Sequence, residues 1–197
     1  MAIVFHKESR CFHLYNNEVS YIIRIMENEQ LEQLYYGKKI HDRENFTYLH
    51  EECMRSQMSI CVPEPGILSM QYTKQEFSTY GTGDYRSPAL TIVQENGSRI
   101  VNFTYASHEI CSGKKDILPL PATYVENEDE AQTLEVTLHD AVMDTDLILS
   151  YTIYEEYPVI TRNAKICHKG SEKIVLDKIM SASVEFNDMD YEMVQLS

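Results

Sequence analysis

The amino-acid sequence predicts an all-β fold, a large antiparallel β-sandwich of the supersandwich type. Alternation of apolar and polar residues with a period of two dominates the chain, for example in DLILSYTIYEE at 146–156. No long segment repeats its apolar residues with the 3.6-residue period of a helix. Fourteen tyrosines and no tryptophan suit half-buried sheet faces, where the ring packs and the hydroxyl reaches water.

The predicted strands follow one another along the chain with turn residues between them, which indicates packed antiparallel sheets. We expect them at 2–6, 11–15, 19–26, 31–37, 88–95, 99–111, 132–139, 146–155, 158–168, 173–186 and 190–196. Asn96-Gly97 lies between two of these runs. Because Asn-Gly accepts the positive φ angles of a type I′ turn, it predicts a β-hairpin at that place. The long irregular region 38–87 is of a length that is usually functional or locally disordered.

The charge and the cysteines limit the class of protein. The formal net charge is −14 and there is no basic run, which argues against nucleic acid and against an anionic membrane surface as partners. Five cysteines at irregular spacing argue against a disulfide framework. There is neither a signal peptide nor an apolar stretch of 18 residues. The sequence therefore predicts a cytoplasmic protein with reduced thiols.

Several sequence patterns could carry chemistry, but each of them also has a structural interpretation. Two His-x-x-Cys pairs, at 50–53 and 108–111, lack the usual zinc knuckle, and the second pair lies on opposite faces of a strand. Cys167 and His168 are neighbours, so the histidine cannot serve as the base of that thiol. Gly81-Thr82-Gly83 lacks the following helix of a phosphate-binding loop. We expect no metal, no cofactor and no catalytic residue in this chain.

The stretch QEFSTYGTGDYRSPAL at 75–90 differs from its surroundings. Its glycines bend the chain, and Asp84, Tyr85 and Arg86 follow directly. In the structural interpretation, Asp84 caps the turn and Arg86 pairs with it or with another acid. In the functional interpretation, the three side chains form part of a surface that contacts a sugar or a subunit. The pattern alone leaves both interpretations open.

The segments QEFSTYGTGDYRSPA, LPATYVE and YPVITRNA together resemble the N-terminal region of bacterial α-galactosidases (melibiases) of glycoside hydrolase family 36. The resemblance covers nearly the whole chain. It implies that residues 1–197 are the N-terminal β-sandwich domain of a longer multidomain glycosidase, which also agrees with the strand pattern that runs up to Ser197. The catalytic barrel, which carries two aspartates, and a C-terminal domain would then lie outside this chain, so the 197 residues alone are expected to be inactive.

The resemblance also implies partners and site residues. The parent enzyme would hydrolyse terminal α-galactosyl residues of melibiose- or raffinose-type sugars and form a homotetramer. In tetrameric relatives, an acid after a Phe-x-x-Leu stretch contacts substrate in a neighbouring subunit. Here that stretch is 46–49, and it is followed by His50 and Glu51. We expect Glu51 and His50 to contact substrate, and Asp84, Tyr85 and Arg86 to order the loop and the interface.

Two other classes of function remain open from the sequence. An independent carbohydrate-binding module would present an aromatic platform on one sheet face, for which the tyrosines are candidates. A purely structural oligomerisation domain would associate without binding sugar. Titration with sugar and measurement of the oligomeric state would separate these two classes.

Overall fold

The computed structural model describes residues 1–51, 61–62, 68–70, 72–82 and 87–186, together with 192 and 194. The described residues form twelve strands and two short 3-10 helices, Thr47–Leu49 and Glu128–Glu130, joined by turns and irregular segments. The strands are β1 (Ala2–His6), β2 (Cys11–Tyr15), β3 (Val19–Ile25), β4 (Leu31–Lys38), β5 (Cys61–Val62), β6 (Leu68–Ser69), β7 (Leu90–Gln94), β8 (Thr104–Ser112), β9 (Ala131–Asp140), β10 (Thr145–Tyr154), β11 (Ile160–His168) and β12 (Ile174–Ile179). Among the described residues, no helix is long and apolar enough to cross a bilayer.

The strands form two four-stranded antiparallel sheets. The first sheet is a meander in the order β1-β2-β3-β4, and the second has the order β11-β10-β9-β8. Two smaller pairs, β12 with β7 and β5 with β6, complete the described part of the fold. The predicted antiparallel β-sandwich is therefore confirmed.

One apolar core joins the two sheets. Alternate residues of β3, among them Tyr21 and Ile23, face this core, and the second sheet contributes Leu134 and Leu149 from β9 and β10. Each fully buried aliphatic or aromatic side chain of this kind contributes about 1.5–3 kcal/mol through removal from water. The period-two alternation that predicted the strands therefore also selects the faces that meet.

The first sheet is covered on its other face as well. Cys11, Ile22 and Leu34 point away from the main core and pack with Phe46, which lies in the chain segment after β4. Phe46 is fully buried although it lies outside any strand. The first sheet therefore lies between the second sheet and the segment 39–49.

The predicted hairpin at Asn96-Gly97 is wrong. A tight turn is present, with Gly97 at φ +83° and the Gln94 amide 2.8 Å from the Ser98 carbonyl oxygen. However, β7 pairs with β12, and β8 pairs with β9 in the second sheet. In the segment between β7 and β8, Val101 and Phe103 belong to no strand and are buried in the core. The turn chemistry fixes the local bend, while long-range packing determines the strand partner.

The predicted strands 2–6 and 11–15 match the structure at both ends, and the larger differences lie in the later part of the chain. The run predicted at 99–111 forms a strand over Thr104–Ser112, and the run predicted at 173–186 ends at Ile179. The run predicted at 190–196 lies largely outside the described residues.

Candidate functional site

The segment that follows β4 carries the predicted substrate contacts and is fixed to the first sheet. Its apolar anchor is Phe46, which packs edge-on against the ring of His13 at a centroid distance of 5.0 Å. Backbone groups add to the attachment. The Ile40 amide donates to Ser20 Oγ at 3.0 Å, and Ser9 Oγ donates to the Glu44 carbonyl at 2.6 Å.

Two histidines of the sheet hold the acids of this segment. Asp42 Oδ1 lies 2.7 Å from Nδ1 of His13 and 2.9 Å from Nε2 of His6, and Glu44 Oε2 lies 3.2 Å from His6 Nδ1. Burial lowers the pKa of His13, although its hydrogen bond to Asp42 opposes that shift. Burial alone would raise the pKa of Asp42, but the hydrogen bonds from His13 and His6 outweigh it and lower that pKa.

Ser20, His13 and Asp42 have the connectivity of a serine-hydrolase triad, since His13 Nε2 lies 2.9 Å from Ser20 Oγ. The arrangement cannot act as one. Ser20 and His13 are both completely buried, so no substrate carbonyl can reach the hydroxyl. The Ser20 oxygen already accepts the Ile40 amide. The triad-like chain therefore attaches the segment to the sheet.

His50 directly follows the 3-10 helix and is fixed by a buried carboxylate. Its Nδ1 lies 2.5 Å from Oε1 of Glu32, whose other oxygen lies 3.0 Å from Nε of Arg24. Glu32 is only 3% exposed. Arg24 and Glu32 are direct partners in the β3–β4 ladder. Two neighbouring strands thus set the orientation of the His50 ring.

Glu51, the next residue, is in a different environment. Its side chain is 56% exposed, and Oε1 lies 2.7 Å from Nζ of Lys74. An exposed pair of this kind contributes little to stability. Because a carboxylate has several lone pairs, Glu51 can accept a further hydrogen bond from a hydroxyl group in the solvent. The structure thus brings both predicted substrate-contact residues, His50 and Glu51, to the end of one anchored segment.

Asp84, Tyr85 and Arg86 lie outside the described residues, so their predicted role stays a prediction. The bend before them is described. Gly81 has φ +95°, and a Cβ on it would lie 2.9 Å from Cγ1 and 3.1 Å from Cα of Ile100. Thr82 then donates from Oγ1 to the Val101 carbonyl at 2.9 Å. Only glycine fits the first of these positions without strain.

A second buried polar cluster connects the two sheets through Glu76, which is completely buried. Glu76 accepts hydrogen bonds from the hydroxyls of Tyr21 at 2.5 Å and Tyr151 at 2.9 Å, and forms an ion pair with Arg162. Burial raises the pKa of Glu76, while Arg162 opposes that shift. Glu76 and Arg162 lie in two of the segments that carry the family resemblance, but they are 86 residues apart, and nothing in the sequence indicates that they pair.

His108 and His168, two of the candidate ligands or bases, have other partners, and Cys53 lies outside the described residues. His108 Nδ1 lies 2.7 Å from the Tyr105 hydroxyl, and the ring packs against Phe5 and Phe12. His168 contacts Thr145 Oγ1 and the Glu172 carbonyl. Within the described part of the chain, no three His, Cys, Asp or Glu side chains form a metal-binding group.

Comparison with known proteins gives a coherent result. A family model described as the glycosyl hydrolase family 36 N-terminal domain matches residues 29–197. Alpha-galactosidase AgaA of Geobacillus stearothermophilus is 35% identical over 196 residues, which are 100% of this chain and 27% of that protein. Alpha-galactosidase Mel36A of Lactobacillus acidophilus is 33% identical over 98% of this chain and 26% of its own length.

Solved structures agree with the sequence matches. The crystal structure of GH36 alpha-galactosidase AgaB from Geobacillus stearothermophilus superposes with a TM-score of 0.84 at 36% identity, over 93% of this chain and 25% of that one. A variant of AgaA in complex with raffinose gives a TM-score of 0.82 at 36% identity, over 88% and 24% of the two chains. The chain spans about a quarter of the length of these relatives.

Proposed function

Because this chain belongs to the family of glycosyl hydrolase family 36 N-terminal domains, we propose that it is the N-terminal, non-catalytic part of an α-galactosidase. The parent enzyme hydrolyses terminal α-galactosyl residues of melibiose- or raffinose-type oligosaccharides. The observation that carries this proposal is 35% identity over the whole chain to an α-galactosidase about four times as long. Catalysis proceeds by retaining double displacement on two carboxylates of a barrel that lies C-terminal to this chain.

The state of the buried acids supports the non-catalytic role. A retaining glycosidase needs two carboxyl groups about 5–5.5 Å apart that face a bound sugar. Among the described residues, the buried acids are otherwise committed. Glu32 binds Arg24 and His50, and Glu76 binds an arginine and two tyrosines. Asp140 accepts the backbone amides of 102, 142 and 143.

The role of the domain is to complete the substrate pocket. The anchored segment after β4 presents His50 and Glu51 to an active site in a neighbouring subunit of a homotetramer. Support comes from the difference between the two residues: Glu32 immobilises His50, while Glu51 stays exposed. A ring that is already fixed, such as that of His50, favours binding of a sugar because it needs little further ordering, and the exposed Glu51 carboxylate remains accessible to a sugar hydroxyl. Asp84, Tyr85 and Arg86 order the adjoining loop and the interface.

The parent enzyme acts in the cytoplasm. Cys11, Cys111 and Cys167 are free thiols, and Cys11 is completely buried. Unpaired, buried thiols fit a reducing compartment. In this proposal, the oligosaccharide enters the cell before it binds to the enzyme and contacts Glu51.

The test compares the 197-residue chain with the full-length gene product. We expect the full-length protein to hydrolyse p-nitrophenyl α-galactoside and the 197-residue chain to be inactive. Glu51→Gln in the full-length protein should lower kcat/KM about 10- to 100-fold, mainly through KM, because a charged hydrogen bond to substrate is lost. Glu8→Gln, on an exposed turn of the first sheet, is the matched control. Hydrolysis by the 197-residue chain would contradict the proposal that the catalytic carboxylates lie outside it.

A groove favours a second candidate, an independent carbohydrate-binding module. The segment 114–123 overhangs the outer face of the second sheet and encloses about 910 Å³. Ser150, Asn163 and Lys165 are among the polar residues that line it. Calorimetric titration of the chain with raffinose tests this function. Millimolar or tighter binding that Asn163→Ala weakens would favour the module, and absence of heat would exclude it.

A further inference from the structure

The side of the sandwich formed by β4 and β11 is open. A cleft of about 330 Å³ lies there between the two sheets, lined by Tyr36 of β4, Ile160 and Arg162 of β11, and residues of the segment 181–184. Hydrogen bonds attach the segment across the opening. Arg162 donates to the Ser183 carbonyl at 3.3 Å, the Glu185 amide donates to Gln33 Oε1 at 3.3 Å, and Gln33 Nε2 donates to the Glu185 carbonyl at 3.4 Å. The segment crosses the cleft but leaves its mouth accessible.

The rim of the cleft is apolar and exposed. Tyr36 is 40% exposed, Val184 41% and Phe186 50%, and the rings of Tyr36 and Phe186 lie 6.2 Å apart. The strand that leads into this segment, β12, exposes further apolar side chains: Val175, Leu176 and Ile179, followed by Met180. Contiguous apolar surface of this kind marks an interaction site in a folded protein.

Within the described part of the chain, the one charged side chain that lines the cleft, Arg162, is already paired. The Arg162 guanidinium pairs with the buried Glu76 and lies 5.1 Å from the ring centroid of Tyr151. It also donates to the Tyr21 hydroxyl at 3.3 Å. A neutralised floor below an apolar rim fits apolar side chains better than a charged ligand.

The adjoining strand β11 lies at the edge of the second sheet. Among the described residues it pairs only with β10, so no described strand lies along its other side. Ile160, Ala164 and Ile166 of β11 face the core but are only partly buried. The core is thus incompletely covered along the same side as the cleft.

The relatives indicate what covers this side. They are about four times as long as this chain, and interfaces between domains of one chain bury about 600–1,500 Å². A second copy of the chain is the alternative occupant, and the oligomeric state of the 197-residue chain tests it. Resting on the function proposed above, we propose that the cleft and its rim receive an apolar segment of the parent polypeptide C-terminal to residue 197.

The experiment compares one substitution in two contexts. Val184→Asn is introduced into the full-length gene product and into the 197-residue chain. Val142→Asn is the matched control, because Val142 is 86% exposed at the turn between β9 and β10. In the full-length protein, Val184→Asn should lower Tm by about 4 °C or more, and Val142→Asn should leave it unchanged. In the 197-residue chain both variants should melt like the unsubstituted chain.

Hydrogen exchange provides a second measurement that needs no substitution. Amides of β11 should exchange at least about tenfold more slowly in the full-length protein than in the 197-residue chain, because this edge of the second sheet is covered. The proposal would be overturned if the β11 amides exchanged equally fast in the full-length protein and in the 197-residue chain, and if Val184→Asn and Val142→Asn had the same Tm in the full-length protein. A dimer of the 197-residue chain that Val184→Asn dissociates would also overturn it, in favour of a second copy. Activity of the full-length protein on p-nitrophenyl α-galactoside tests the proposed function separately.

Discussion

His50 Nδ1 lies 2.5 Å from Oε1 of Glu32, a carboxylate that the fold buries almost completely. The opposite oxygen of Glu32 binds Arg24, the residue directly across the β3–β4 ladder. The position of a candidate substrate contact is therefore determined by a charged pair inside the first sheet. Changes in that pair should affect both stability and binding.

Glu32→Gln should lower the free energy of unfolding by about 3–5 kcal/mol, because the buried Arg24 guanidinium loses its counter-charge. Urea unfolding followed by tyrosine fluorescence measures it. Glu109→Gln, which removes an exposed partner of Lys115, is the control and should leave the unfolding midpoint unchanged. A midpoint for Glu32→Gln equal to that of the control would show that the pair is dispensable.

Glu76 and Arg162 should be strongly coupled. Glu76→Gln and Arg162→Met should each cost about 3–5 kcal/mol, since each leaves the other group buried without its partner. The double variant should be about 1–3 kcal/mol more stable than the sum of the single losses predicts. Denaturant unfolding of all four proteins measures the coupling. Simple additivity would mean that the two side chains do not interact in solution.

Stability should decrease as the pH falls below about 6.5, the usual pKa of histidine. Burial lowers the pKa of His13 in the folded chain, so the unfolded chain takes up a proton that the folded chain resists. Burial acts on His108 in the same direction. The slope should reach at most about 1.4 kcal/mol per pH unit for each of these histidines.

Unfolding free energies measured between about pH 5.5 and pH 7.5, one unit on either side of the usual pKa of histidine, test this expectation. His13→Gln should have a smaller slope than the unsubstituted chain, and His41→Gln, at an exposed position, should retain the full slope. An unchanged slope in His13→Gln would exclude His13 as the titrating group.

Gly81 and Gly97 allow backbone strain to be separated from steric clash. Both have positive φ. A Cβ at Gly97 would meet nothing within 4 Å, whereas a Cβ at Gly81 would lie 2.9 Å from Cγ1 of Ile100, which is closer than van der Waals contact allows. Gly97→Ala should cost about 1–2 kcal/mol. Gly81→Ala should cost about 1–3 kcal/mol more, because Ile100 must move. Thermal unfolding measures both, and equal losses would refute the clash.

The sequence was most informative where strands neighbouring in sequence also pair. The runs 11–15, 19–26 and 146–155 were located to within a residue or so, because alternating side chains record which face is buried. The partner of β7 could not be read in this way. Asn96-Gly97 determines a turn, but β12, some eighty residues later in the chain, occupies the edge of β7.

The candidate site was only partly predictable. His50 and Glu51 were located through resemblance, but their anchors were not. His13 and Asp42 are separated by 29 residues and Glu76 and Arg162 by 86. A histidine or an acid within an apolar run gives no local signal of its partner. Such pairs become visible only when the sheets are assembled.

Because Phe46 and Asp42 tie the chain after β4 to a sheet that is itself packed on its opposite face, the segment 39–49 can leave the sheet only if Phe46 becomes exposed and Asp42 loses its contacts with His13 and His6. Release of this segment should therefore accompany unfolding of the first sheet and not precede it.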